Sequence, residues 1–213
     1  MKRYGQFCSV ARALDLLGDR WAMLVVRELL LGPKRYTDLL DGLPRVGTNV
    51  LAVRLRELED AGIITRETLR PPAASKVYVL TDDGWALRPV FDELARWGLR
   101  LMDEPQRGDA IRSSWLVYSL AICTPATGMQ KGSELELRVN EPYTLAVRDG
   151  RFEARQGAAA RPVAVIEATP ESLFRLVTGQ ARGLERIAID GDTRAAKQFL
   201  EAAHGAWFEP AAR

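Results

Sequence analysis

Asn49, Ala52, Val53 and Arg56 are the residues whose types and spacing best suit a chemistry of recognition. Spaced at three and four, they share one side of a helix. The opposite side carries Leu51, Leu55 and Leu58, the stripe such a helix buries in its own domain. A solvated helix would show Lys and Glu all round its outer face. Here the carboxylates are confined to Glu57, Glu59 and Asp60, toward the far end. An Asn amide can bond adenine, an Arg fork can bond guanine, and small apolar groups pack on thymine methyls. With Thr48 at the start of the helix, this set points to the major groove of double-stranded DNA.

Such a helix must be held by others. Apolar spacing predicts helices over 10–17 and 20–31, the second ended by "GPK". A short helix over 36–43 is closed by Pro44, and the recognition helix runs to Ala61 with Gly62 as its C-cap. Alternating, β-branched stretches at 63–69 and 75–81 flank "RPPAA" and read as a hairpin with a proline-stiffened tip. A last helix is expected over 83–101, with Pro89 marking its effective start or a kink. Helix, short helix, tight turn, helix and hairpin is the order of a winged helix-turn-helix. Its phosphate contacts would come from Lys34, Arg35, Tyr36 and Thr37 at the start of the short helix, where N–H groups and the dipole favour an anion. Arg45 in the turn and Arg70, Ser75 and Lys76 at the wing tip complete that set. Arg54 lies at the edge of the buried stripe and reads as structural.

The polar stretch 103–110 is a linker, so the expected domains are residues 1–102 and 111–213. The second should contain a helix at 113–123, strands at 134–139, 143–148, 151–155 and 163–168, and a helix over 169–179 with Thr169 as N-cap and Pro170 at its first position. A strand at 186–190 and a helix at 193–203 capped by Asp192 follow, giving an α+β fold class overall. The net charge of +2 announces no partner by itself. The basic surplus is local: residues 1–102 hold 16 Lys and Arg against 13 Asp and Glu, and the remainder 14 against 15. Two distant cysteines make no disulfide framework and suit a reducing cytoplasm, and the apolar runs are too short to span a bilayer. The lone His204 cannot join a metal-ligand cluster, and "IDGDT" lacks the later ligands of a calcium loop. No Ser-His-Asp set, phosphate loop or zinc motif is present, so neither an enzyme nor a cofactor is expected.

The run from Cys8 through "LGDRW", "RELLLGPKRYTDL", "RLRELEDAGII" and "YVLTDDG" resembles the HxlR family of bacterial winged helix-turn-helix transcription regulators, over about residues 8–100. The resemblance implies a regulator, read here as a repressor, that binds a short inverted-repeat operator as a homodimer joined through its terminal helices. The stripe Leu87, Phe91, Leu94 and Leu101 would supply the dimer contact, together with the N-terminal helix. It also makes Cys8, at a helix start, a candidate redox sensor; the alternative is a small buried side chain. "ATPESLFRLVTG" followed by "IAIDGDTRAAKQFL" is similar to sterol-carrier-like (SCP2-like) domains, which hold apolar small molecules. That similarity implies an apolar effector, and leaves open a lipid carrier that uses the winged helix only as a dimer scaffold; Trp115 and Tyr118 are candidate pocket residues, with core packing as the equal alternative.

Overall fold

A computed structural model describes residues 3–102, 105–179 and 187–206. Two compact units emerge, Met1–Phe91 and Asp92–Arg213. The division falls inside a helix, ahead of the expected linker.

The first unit opens with α1 (Ser9–Leu17), α2 (Ala22–Leu29), α3 (Tyr36–Gly42) and α4 (Thr48–Asp60). Leu51, Leu55 and Leu58 of α4 and Val25, Val26 and Leu29 of α2 are buried, as is Leu39 of α3. This core is what the helical apolar spacing builds. Gly62 follows α4 at φ +72°, a conformation with no Cβ penalty only for glycine. Its N–H donates to the Glu59 carbonyl and that of Ile63 to the Leu58 carbonyl, the paired bonds of a Schellman ending. The chain is thereby turned into β1 (Ile64–Thr68), which pairs antiparallel with β2 (Lys76–Leu80), Ile64 opposite Leu80 and Thr68 opposite Lys76.

The long helix expected over 83–101 is two pieces, α5 (Asp82–Trp85) and α6 (Arg88–Leu99). Pro89, in the first turn of α6, stands where its missing N–H has no helical bond to make, so it marks a start and not a kink. Thr81 caps α5 by accepting the Gly84 N–H, and its hydroxyl donates to the Gly62 carbonyl at 2.5 Å while its backbone N–H donates to that of Ile63. A Cβ at Gly84 would lie 2.2 Å from the Ile63 carbonyl oxygen, so only glycine lets α5 lie this close to the start of the wing.

In the second unit α7 (Ser113–Cys123) precedes β3 (Glu134–Val139), β4 (Glu141–Arg148), β5 (Arg151–Gln156), β6 (Ala164–Glu167), α8 (Pro170–Val177), β7 (Ala188–Gly191) and α9 (Thr193–Ala203). The strands form one sheet in the order β5-β4-β3-β6-β7, with only the β3–β6 pair parallel. Alternation sends Leu135, Leu137 and Val139 with Tyr143, Leu145 and Val147 to one face. These are buried with Leu116, Val117 and Leu120 of α7, Leu173, Leu176 and Val177 of α8, and Phe199 of α9. Phe152 and Phe199 meet edge to face at 5.2 Å between ring centres. Both expected caps form: Thr169 accepts the Ser172 N–H, and Asp192 accepts those of Arg194 and Ala195. Arg186, where the strand into β7 was expected to begin, lies outside the described residues.

Candidate nucleic-acid interface

α3, a tight turn and α4 form the helix-turn-helix, with Arg45 in the turn at φ +72°. With its leucine stripe fixed inward, α4 shows Thr48, Asn49, Ala52, Val53 and Arg56 outward, all exposed. From Thr48 to Arg56 the helix rises about 12 Å, the width of the major groove. Val50, 41% exposed, belongs to the same surface and was not expected there. Its position beside Asn49 and Val53 on a helical wheel was the signal that could have found it.

The electrostatics of α4 depend on what becomes of its acids. Glu57 is engaged by Arg54, whose Nε lies 2.9 Å from Asp19 ahead of α2. Glu59 accepts from Arg66 of β1 at 2.8 Å, and the Arg66 guanidinium lies over the Tyr78 ring at 5.3 Å. Two of the three carboxylates are therefore paired within the domain. Arg54 is structural, as its place at the edge of the stripe suggested. Asp19, Arg66 and Tyr78, none of them singled out from the sequence, join α4 to its neighbours. Cross-element pairs of this kind leave no mark on hydrophobic periodicity.

The expected phosphate contacts divide. Arg35 and Thr37 are exposed at the start of α3, as are Arg70 and Lys76 beside the wing tip and Arg45 in the turn. Lys34 is not available in the same way. It is only 7% exposed, and its backbone exchanges hydrogen bonds with Tyr78 at 3.1 and 2.7 Å, tying the start of α3 to the wing. Tyr36 is half-buried and its hydroxyl donates to the Thr48 carbonyl at 2.8 Å. Ser75 is half-buried, its hydroxyl donating to the Ala73 carbonyl within the tip.

The expected dimer stripe needs one correction. Phe91 is buried and Leu87 is half-buried within the chain itself, so neither offers the open face that the stripe was expected to present. Leu94 and Leu101 are exposed, and Val90 and Trp97 (56% exposed) complete their face. Phe7, Val10 and Leu14, in and before α1, are also exposed. Cys8 is exposed at the start of α1, not a buried filler, while Cys123 is half-buried and burial pushes its thiol up to about 11. In the second unit Tyr118 is buried and its hydroxyl donates to Asp92 at 2.7 Å. Trp115 is half-buried. Neither lines the two depressions of about 420 and 390 Å³ in this unit, whose rims carry charged and amide groups such as Glu136, Arg138, Asn140 and Arg112. Among the described residues no cluster of His, Cys, Asp or Glu could hold a metal, and no described helix is long and apolar enough to cross a membrane.

A family profile described as "HxlR-like helix-turn-helix" matches residues 16–106. The HTH-type transcriptional regulator YodB of Bacillus subtilis (strain 168) is 39% identical over 85 residues, covering 40% of this chain and 76% of that protein. The uncharacterised HTH-type transcriptional regulator YvaP of the same organism is 36% identical over 92 residues, 43% of this chain and 85% of that one. The solved structure of YodB in its reduced form shares 33% identity and covers 47% of this chain and 100% of that chain, with a TM-score of 0.40. The profile ends at Gln106, ahead of α7 and the five-stranded sheet.

Proposed function

The chain belongs to the HxlR-like helix-turn-helix family, whose curated members are HTH-type transcriptional regulators, and from that premise we propose that it is a cytoplasmic repressor binding an inverted-repeat operator as a homodimer. The observation that carries the reading is the outer face of α4. It presents an amide, a guanidinium and small apolar groups over about 12 Å, while Glu57 and Glu59 are paired with Arg54 and Arg66 of the same chain. Asn49 and Arg56 read base edges, Val50, Ala52 and Val53 lie against thymine methyls, and Thr48 bonds a base or the adjoining backbone. Arg35, Thr37, Arg45, Arg70 and Lys76 hold phosphates and set the register.

A single half-site gives little discrimination, and two-fold operators match two-fold proteins about 34 Å apart. The exposed Val90, Leu94, Trp97 and Leu101 face of α6 offers apolar surface for that pairing, and so, separately, do Phe7, Val10 and Leu14 in and before α1. The second unit is an effector domain. Its sterol-carrier likeness favours an apolar ligand, whereas the polar rims of its two depressions favour a polar one. A screen of fatty acids against polar metabolites, read by melting and by DNA affinity, separates these.

The direct test is selection of duplexes from a random pool. A recovered inverted repeat, bound with an affinity that falls steeply with salt and with two chains per site, is the expected result. Sedimentation as a monomer with undiminished affinity would remove the dimer. Failure to enrich any sequence would remove the regulator, and leave the lipid carrier as the reading to test.

A further inference from the structure

We propose that Tyr36 is a positioning residue for the recognition helix, not a ligand of the DNA backbone. The inference rests on α4 being the base-reading helix. Tyr36 opens α3, Thr48 opens α4, and the Tyr36 hydroxyl donates to the Thr48 carbonyl at 2.8 Å. A phenol has one hydrogen to donate, and phosphodiester oxygens only accept. While that hydrogen is held by Thr48, Tyr36 has no donor left for a phosphate. The Thr48 carbonyl has two lone pairs, so it can take the phenol as well as the N–H one turn along the helix.

What this bond sets is the placement of the first turn of α4. A tyrosine ring is rigid, with only two side-chain torsions. It therefore fixes the separation between the starts of two helices that the turn around Arg45 would otherwise let vary. The other two braces lie further along: Arg54 to Asp19 at the middle, Arg66 to Glu59 near the end. Tyr36 ties down the turn bearing Thr48 and Asn49, the end of a recognition helix that meets base edges.

The test is Tyr36→Phe, which keeps the ring and its packing, combined in a double-mutant cycle with Asn49→Ala. Binding is measured on a duplex selected by the wild-type protein and on random DNA. Positioning predicts that Tyr36→Phe lowers the ratio of selected to random affinity about five-fold, consistent with the loss of one hydrogen bond. Its effect should largely vanish in the Asn49→Ala background, because the two act through one contact. Equal loss on both DNAs, additive with Asn49→Ala, makes Tyr36 a backbone ligand and overturns the proposal. So does a variant that binds like wild type. A wild-type chain that selects no sequence fails one step earlier, at the reading of α4 itself.

Discussion

Two polar faces of this molecule are built from the same kinds of residue and treat charge in opposite ways. On the side of the five-stranded sheet away from α7, α8 and α9, Arg138 bridges Glu136 and Glu167 at 2.6 and 2.9 Å, and Arg155 approaches Glu134 at 3.4 Å. Glu136 is buried and also accepts the Ala159 N–H at 3.0 Å from the segment that crosses to β6. That surface satisfies itself. On α4, Glu57 is paired with Arg54 of the same helix and Glu59 with Arg66 of β1, while Arg56 has no ion pair among the described residues. With two of its three acids paired, α4 leaves a guanidinium beside an amide and two valines, the face assigned to DNA in the proposed function.

Exchanging the roles of the two faces should fail in characteristic ways. The largest effect is expected from Glu136→Ala. It orphans the Ala159 N–H and removes a buried acceptor, so stability should fall by about 3 kcal/mol. Denaturant melts measure this, and DNA affinity of the folded fraction should not change. Arg56→Ala should do the reverse. Stability should stay within about 0.5 kcal/mol, while discrimination at one base pair falls by about 2 kcal/mol. Equal losses on selected and random DNA would mean that Arg56 touches only phosphate. Smaller again, Lys76→Ala should weaken all sequences alike and reduce the slope of log affinity against log salt by about 0.9. If Glu136→Ala impaired DNA binding or Arg56→Ala unfolded the chain, the contrast between the faces would not hold.

These faces were not equally legible in the sequence. The inward stripe of α4 and the outward Asn49, Ala52, Val53 and Arg56 follow from a period of 3.6, which is local information. The Thr169 and Asp192 caps are local too, as is the period of two that sends Leu135, Leu137 and Val139 to one side of β3, but the burial of both faces of β4 is not. Lys34, Tyr36 and Phe91 have surroundings that local periodicity does not show. Those of Lys34 and Tyr36 depend on chain far from them, the Tyr78 backbone and the Thr48 carbonyl, and Phe91 is buried although it lies on the stripe expected to face outward. The Arg138 bridges are of the same kind, since Glu136 and Glu167 become neighbours only through the parallel β3–β6 pairing.

The two cysteines extend the contrast to chemistry, with the smallest effect on stability. Alkylation and oxidation proceed through the thiolate. Cys123 is half-buried with its thiol raised to about 11, so at pH 8 only about one molecule in a thousand carries the thiolate there. Cys8 is exposed at the start of α1. Iodoacetamide at pH 8 should therefore label Cys8 first, and Cys123 only at the rate of unfolding, as peptide mapping would show. The raised pKa carries a sign. Between the ordinary thiol value of 9.0 and about 11 the unfolded chain releases the proton more readily than the folded one. Stability contributed by Cys123 should thus be present below pH 9 and decline as pH rises to 11, a trend that Cys123→Ser removes. Equal labelling of both cysteines would show that the second unit opens readily. Once Cys8 alone is modified, DNA binding decides its role. Release that Cys8→Ser abolishes makes it the sensor implied by the family resemblance. Undiminished binding leaves it an exposed thiol beside the proposed dimer surface.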